Sequence, residues 1–466
     1  MAKVLISFLG VNSRNYWPAN YLFMDGTKDV TPSGVPDGKV ISSSFIAKAL
    51  KEYYSIDKLI LIGTAHSMWE EVYLRIGTSE SIMDEKVWER LSMKCESSNH
   101  LQDNLDDDDI KEIEKRLGGG SKVIIIKYGL DNEEIAYNTK KILNIEKSLN
   151  SGDKIYLDIT HSFRSLPIYL MNCLIYLKNV SSKNITIESI SYGMLDVSKE
   201  YHSEKKNAKG EFCEFYTPVV ELKKLMEVQD WITGAYNFKE FGNTYKLSEL
   251  LKKDRTGNYT TIANAIKRFA DVKNLNYLKE FRSGISNLMP LCNRNNLPEL
   301  GKEIIAPVME KFTNRFPQNL KQSTFQYRMA DWHYKHYNYG FALTVLIEAI
   351  VTYCCELYFS DTSDKEQLEY NINSKDNRDL IKDALNGINN EEINHDKMVD
   401  YINDILKTCI DFSYDESNYG IFKSNWSIAN KDRNNIVHNK MGDKHYSDII
   451  TDLEKNIEYF RYYIGK

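Results

Sequence analysis

A chain of 466 residues exceeds one ordinary hydrophobic core, and at about 150 residues per domain it divides into two or three. Hydrophobic residues at 42% and charged residues at 27% fit a water-facing globular protein, and a net charge of −6 argues against wrapping long duplex nucleic acid while leaving room for a small basic pocket. Seven cysteines without CxxC pairing or finger-like spacing argue against a disulfide framework or structural zinc, and point to a reduced, cytoplasmic setting.

The first residues, Met1-Ala2-Lys3 and then Val4 to Gly10, are too short for a signal peptide and predict a first strand. Further β-branched runs of strand length lie at 59–62, 123–126, 155–159 and 185–192. Between them, apolar residues at three- and four-residue spacing predict helices over 45–54, 110–117, 133–149 and 166–177, with Gly118-Gly119-Gly120 stopping one of them. Strand and helix alternating in this way predict a Rossmann-like α/β domain with a largely parallel sheet covered on both faces. The polar stretch 197–215 fits a hairpin or insertion. From Pro218 onward strand-like runs vanish. Long amphipathic patterns over 219–241, 261–281, 322–337, 341–358 and 448–463, linked by asparagine-rich stretches, predict an all-helical second half. The expected domains are therefore 1–217 and 218–466. The most membrane-like run, 341–359, is interrupted by Glu348 and Glu356 and reads as a buried helix.

The stretch Asp158-Ile159-Thr160-His161-Ser162-Phe163-Arg164-Ser165-Leu166-Pro167 closes an apolar strand and opens a helix. Thr160, Ser162 and Arg164 are thereby placed at the carboxyl edge of a parallel sheet, where free amides, a helix dipole and a guanidinium favour an anion. A second strand end, Gly63-Thr64-Ala65-His66-Ser67-Met68-Trp69, again offers small and hydroxyl residues, with Trp69 near enough to cover a flat ring. The first strand ends at Gly10, where a ligand can approach the backbone. Together they imply a nucleotide-like pocket. Taken singly, Thr160 or Ser162 is as well explained as a helix cap and Arg164 as a surface cation, and neighbours such as His161 and Ser162 seldom form a hydrolytic pair. Neither a P-loop nor GxGxxG is present.

Near the C-terminus stands Asp432-Arg433-Asn434-Asn435-Ile436-Val437-His438, with Gly442 as a stop soon after. Arg433 and His438 lie five apart, about 140° around a helix, so a site using both needs a frayed helix end or a second copy facing it. Histidine moves protons near neutrality and arginine holds phosphorane charge, which is what RNA cleavage by its own 2′-hydroxyl requires. An Arg-x4-His match also arises by chance, with a solvated arginine and a satisfied histidine. His333 and His336 lie among Trp332, Tyr334 and Tyr337 and read as packing; no HExxH or Asp/Glu/His cluster suggests a catalytic metal.

These residues together resemble the CRISPR-associated ancillary ribonucleases of type III systems, built from a CARF and a HEPN domain. The 158–167 stretch and the 63–69 loop look like CARF ligand loops, and Arg433 to His438 matches the HEPN Arg-x4-6-His motif, including the polar Asn434. The resemblance implies a cyclic oligoadenylate as allosteric activator, held by Gly10, Thr64, Ala65, His66, Ser67, Trp69, Thr160, His161, Ser162 and Arg164. It implies a catalytic set of Arg433, His438 and Asn434, no cofactor or metal, and single-stranded RNA as substrate. It further implies a homodimer pairing both motifs in one site, no membrane and no stable association with the interference complex. Two other functions remain open at this point: a CARF domain that itself opens its cyclic ligand, and a non-catalytic sensor or scaffold. The middle segment, 245–325, carries no motif.

Overall fold

The computed structural model describes residues 1–10, 18–24, 38–77, 82–161, 165–387, 393–413, 418–438 and 444–465. It divides into two compact units, Met1–Glu227 and Val228–Lys466.

The first unit is built on eight strands: β1 (Lys3–Phe8), β2 (Ala19–Phe23), β3 (Lys39–Ser43), β4 (Lys58–Gly63), β5 (Lys122–Ile125), β6 (Lys154–Asp158), β7 (Thr186–Gly193) and β8 (Tyr216–Glu221). They form one sheet in the order β3-β2-β8-β7-β6-β1-β4-β5. The run β7-β6-β1-β4-β5 is parallel throughout. Among the named strands, β8 pairs antiparallel with β7 and β3 with β2. Six helices accompany the strands: α1 (Ile46–Tyr54), α2 (Trp69–Arg75), α3 (Glu85–Ser97), α4 (Asp107–Leu117), α5 (Asn132–Leu143) and α6 (Leu166–Asn179).

Strand alternation decides what each face buries. Leu5, Leu59 and Leu61 pack with Ile46, Leu50, Trp69 and Ile113 on one side. Their chain neighbours Val4, Ile6, Ile60 and Ile62 pack with Leu170, Leu174 and Ile142 on the other. The order of chain travel reverses about β1: β4 and β5 extend the sheet one way, β6 and β7 the other. The carboxyl ends of β1 and β6 therefore flank a topological switch point, the usual place for a ligand crevice in an open α/β sheet.

The second unit is helical: α7 (Lys224–Phe241), α8 (Tyr245–Lys253), α9 (Thr260–Asn274), α10 (Leu278–Ser286), α11 (Glu299–Ile304), α12 (Ala306–Thr313), α13 (Gln322–Lys335), α14 (Tyr339–Tyr358), α15 (Lys365–Asn373), α16 (Lys375–Asn386), α17 (Ile393–Ser413), α18 (Asn418–Val437) and α19 (Tyr446–Ile464). Its centre is α14. This helix is long and apolar enough to cross a membrane, with mean hydropathy 1.7, but most of it is buried among its neighbours. The two charges that interrupt it are both paired, Glu348 with Arg378 and Glu356 with the amide and hydroxyl of Ser323.

Three sequence expectations change. The unit boundary falls after Glu227 and not after residue 217, because 216–221 is a strand: β8 pairs in parallel with β2 and antiparallel with β7. Pro218 and the short run hid it. The expected helix 219–241 accordingly begins only at Lys224. The expected helix 261–281 is two helices, broken where Asn276 takes φ 51°, a left-handed conformation that asparagine tolerates.

The boundary is testable by truncation. A fragment spanning 1–227 keeps β8, whose Glu221 carboxylate binds the Ser189 hydroxyl and the Ile190 amide. A fragment spanning 1–217 leaves the edges of β2 and β7 unpaired. The longer fragment is expected to melt cooperatively by circular dichroism and the shorter to aggregate; equal melting of both would refute the placement of β8.

Candidate functional site

Four neighbouring strand ends are joined by polar contacts. After β4 the chain turns so tightly that the Thr64 amide donates to Ser67 Oγ at 3.0 Å, and the Ser67 hydroxyl donates to the Leu9 carbonyl at 2.9 Å, just beyond β1. The Met68 amide reaches the Gly10 carbonyl at 3.4 Å. Gly63 makes the turn possible: a Cβ there would lie 2.8 Å from Ser67 Oγ and 2.9 Å from the Trp69 ring. Gly10 in turn faces His161, whose Cβ would stand 3.5 Å from a Cβ at position 10. Beyond β6, Thr160 Oγ1 accepts from the Gly193 amide at the end of β7, at 2.8 Å. Gly10, Thr160, His161 and the 63–68 loop thus meet at the switch point.

The roles within this edge differ from residue to residue. Thr64, Ala65 and Ser67 are buried and brace the loop, while His66 is half-buried with Nδ1 2.9 Å from the Cys95 carbonyl. Thr160 and His161 are half-buried. Thr160 does not cap α6; its hydroxyl serves β7 instead. Trp69 corrects an expectation. It is 0% exposed, packed under the loop with Nε1 donating to the Thr64 carbonyl at 2.8 Å, so its ring offers no face to a ligand. The first residue of α2 folds its large apolar ring into the core, where burial stabilises it most. Ser162 and Arg164 lie outside the described residues.

Beneath these loops lies Asp158, which sequence reasoning placed only as the strand's last residue. It is fully buried. One carboxylate oxygen accepts from the Ser7 hydroxyl at 2.6 Å and the other from the Thr160 amide at 2.9 Å. Burial pushes this carboxyl above the usual range, against the hydrogen bonds from Ser7 and Thr160 and the nearby His161, which act to lower it. Its charge, together with burial, pushes the Tyr21 phenol up. An acid ending an apolar strand was the available signal.

In the helical unit, α18 buries a stripe of Tyr419, Phe422, Trp426, Ala429 and Asp432. Asp432 is clamped by Lys444, whose ammonium lies 2.7 and 2.8 Å from its two oxygens and 2.6 Å from Asp452 on α19. Arg433, next in the chain, is half-buried and donates to Asn430 Oδ1 at 3.2 Å; Asn434 is half-buried and His438 exposed. The helix is not frayed here, since the His438 amide still bonds the Asn434 carbonyl at 3.1 Å. Arg433 and His438 therefore keep their separation of about 140° around one helix. Gly442 lies outside the described residues. His333 is fully buried, with neither ring nitrogen hydrogen-bonded, and burial holds its pKa down at about 3. His336 bonds the Trp332 and Lys239 carbonyls. Both are packing residues, as their aromatic setting suggests.

Residues 4–195 match the family described as CRISPR system endoribonuclease Csx1, CARF domain. The first unit is a CARF domain. Residues 227–322 match the second domain of CRISPR-associated protein MJ1674, beginning where the structure divides. Among curated relatives, the CRISPR-associated protein MJ1674 of Methanocaldococcus jannaschii is 34% identical over 376 residues, covering 77% of this chain and 55% of that protein. The chain spans about half the length of that relative. Both family matches, and this relative, are CRISPR-associated. Among solved structures, Enterococcus italicus Csm6 bound to cyclic hexa-2′-fluoro-hexa-dAMP aligns over 100% of this chain and 95% of that one, with 11% identity and a TM-score of 0.33. Similarity at that level bears on neither the fold nor the ligand of this chain.

In this CARF domain the buried Asp158 makes stability depend on pH in a definite direction. Its folded pKa lies above the unfolded value, so the folded form prefers the neutral acid, and stability falls as pH rises from the unfolded pKa of about 3.9 through the folded one. Asp158→Asn removes the charge and keeps one oxygen to accept from the Thr160 amide, with its amino group toward the Ser7 hydroxyl, which can accept. The melting temperature of the variant relative to the native protein is expected to rise with pH across this window, in paired thermal scans; a constant difference would show that Asp158 is not a strained acid.

Proposed function

We propose that this chain is a cyclic-oligoadenylate-activated, metal-independent endoribonuclease that cuts single-stranded RNA in type III CRISPR antiviral defence. The observation that carries this reading is the end of α18. The Asp432–Lys444 ion pair anchors the helix just before its last turn, where Arg433 and Asn434 are half-buried and His438 is exposed, in a chain whose first unit is a CARF domain.

The ligand belongs at the switch point. Gly10 lets it approach the backbone, and Thr160, His161 and His66 are the half-exposed side chains around it. Ser162 and Arg164 would hold its phosphates, Arg164 by a fork of donors.

At the catalytic site the ribose 2′-oxygen attacks the adjacent phosphorus and the bond from phosphorus to the 5′-oxygen breaks. A neutral His438 takes the 2′ proton, a protonated His438 returns one to the leaving 5′-oxygen, and Arg433 with the Asn434 carboxamide holds the phosphorane charge. The products are a 2′,3′-cyclic phosphate and a 5′-hydroxyl. These side chains supply both proton transfer and charge stabilisation, so the step calls on no metal.

One helix cannot turn Arg433 and His438 onto the same phosphate, which supports a homodimer in which two copies of α18 face each other. Ile421 and Ile428, exposed apolar residues seven apart on one face of the same helix, offer a surface for it. The ligand activates by binding more tightly to the dimer arrangement that aligns the two copies.

His438→Ala is expected to lower ligand-stimulated cleavage of an unstructured RNA in EDTA by about 10²–10⁴-fold, the usual contribution of general acid–base catalysis, with cyclic oligoadenylate binding unchanged. Cleavage by the variant at the native rate would rule out this active site.

A further inference from the structure

Cleavage at the end of α18 depends on where the Arg433 guanidinium points, and residues outside the Arg433–His438 motif hold it. Among the described residues Arg433 makes no ion pair with an acid, and Asp432 beside it is committed to Lys444. One guanidinium nitrogen, Nη2, donates instead to Asn430 Oδ1 at 3.2 Å. Asn430 lies three residues earlier on the same helix, a spacing that makes the two side chains neighbours one turn apart.

The other end of the Asn430 carboxamide is also engaged. Its Nδ2 donates to Asn386 Oδ1 at 3.3 Å, and the same oxygen accepts from Trp426 Nε1 at 2.9 Å. Asn386 is the last residue of α16, which Gly387 closes in a left-handed turn at φ 65°. Trp426 is 0% exposed and belongs to the buried stripe of α18. The sense of this relay is forced by its two ends. An indole N–H only donates, so the Asn386 atom facing it is the oxygen. That oxygen can be met only by the amino end of Asn430, which turns the Asn430 oxygen toward Arg433. A guanidinium also only donates, so the last link agrees with the first.

A neutral partner suits a charge-stabilising arginine. A carboxylate at position 430 would hold the guanidinium as firmly and cancel its charge where phosphorane charge develops. A carboxamide orients the group and leaves the charge. It also takes one of five N–H donors, so the rest stay free for a phosphate.

We infer that Asn430 is a positioning residue for Arg433, and that Asn386 of α16, outside the motif by sequence, sets the orientation of Asn430 through the Trp426 indole. The inference rests on the endoribonuclease reading, because it deepens the role of Arg433 there. Neither asparagine touches the reacting atoms; both act through the guanidinium.

The test is steady-state cleavage of an unstructured RNA by the full-length protein in EDTA, stimulated by a mixture of cyclic tri- to hexaadenylates, with a melting curve for each variant. Asn430→Ala and Asn386→Leu are each expected to lower kcat about tenfold, the order of one lost hydrogen bond to a charged group, with KM unchanged. Asn386→Asp keeps an acceptor for both Trp426 and Asn430 and is expected to recover most of kcat. In an Arg433→Ala background, Asn430→Ala is expected to cost nothing further, since its effect passes through the missing side chain. If Asn386→Leu does not fold, Asn430→Ala and its cycle with Arg433→Ala decide. Native kcat in Asn430→Ala, a loss confined to KM, or an Asn386→Asp as slow as Asn386→Leu overturns the relay. The two failures are distinguishable: an Arg433→Ala protein that cuts at the native rate overturns the active site and the relay with it, whereas an inactive Arg433→Ala beside a fully active Asn430→Ala overturns the relay alone.

Discussion

A carboxyl group with no exposed surface sets the geometry of the strand ends at the CARF domain's switch point. Asp158 ends β6 in an otherwise apolar interior, where an unpaired charge would be prohibitive. Ser7 on β1 meets one oxygen, and the backbone of Thr160 meets the other by turning directly after the strand. Holding Thr160 there sends its hydroxyl to the end of β7, and places His161 against Gly10. The strand-end residues expected to meet a ligand are thus arranged by one buried acid that itself faces inward. The loop after β4 follows the same logic on a smaller scale: Ser67 and Trp69 point inward to hold the turn, which leaves His66 half-exposed at its crest.

Much of this was legible in the sequence, for definite reasons. Parallel strands buried on both faces read as unbroken β-branched runs, so β1, β4, β5, β6 and β7 stand out. Strands near the sheet's antiparallel margin do not. β2 (ANYLF) and β3 (KVISS) mix polar and apolar residues, and β8 contains Pro218, so composition does not mark them. A helix defined by a one-sided apolar stripe, such as α19, was readable, whereas the break at Asn276 depends on a backbone conformation that spacing does not encode. The hydroxyl-rich strand ends could be brought together from sequence because chemistry and topology coincide at the switch point. The direction in which Trp69 points is a packing outcome, and an aromatic residue opening a helix reads equally as cover for a ligand or as core.

The end of α18 poses a different problem, since both signal and difficulty come from helical geometry. Asp432 points inward to Lys444, which helps fix the rotation of the helix and so the half-buried setting of Arg433 and the exposed one of His438. Removing that clamp would leave the motif intact in sequence and undefined in space. Because the helix stays regular to its last turn, its two chemical groups face different ways. Under the proposed reading this separation is useful to the cell: a lone chain carries the groups for cleavage without the means to bring them to one phosphodiester.

Under that reading, the control of activity lies in the pairing of chains and not in the chemistry of any residue. A histidine shielded by burial would need a conformational change to become reactive, as His333 illustrates with its enclosed, neutral ring. His438 is already exposed, so nothing local needs to be unmasked. What a bound ligand can contribute, under this reading, is a bias between two arrangements of the same folded units. Its leverage is limited to the difference between its affinities for them. The rigid, mutually bonded strand ends favour such discrimination, because a loop set held by Asp158, Ser67 and Gly63 cannot adapt to a ligand in every arrangement and will bind well in only one.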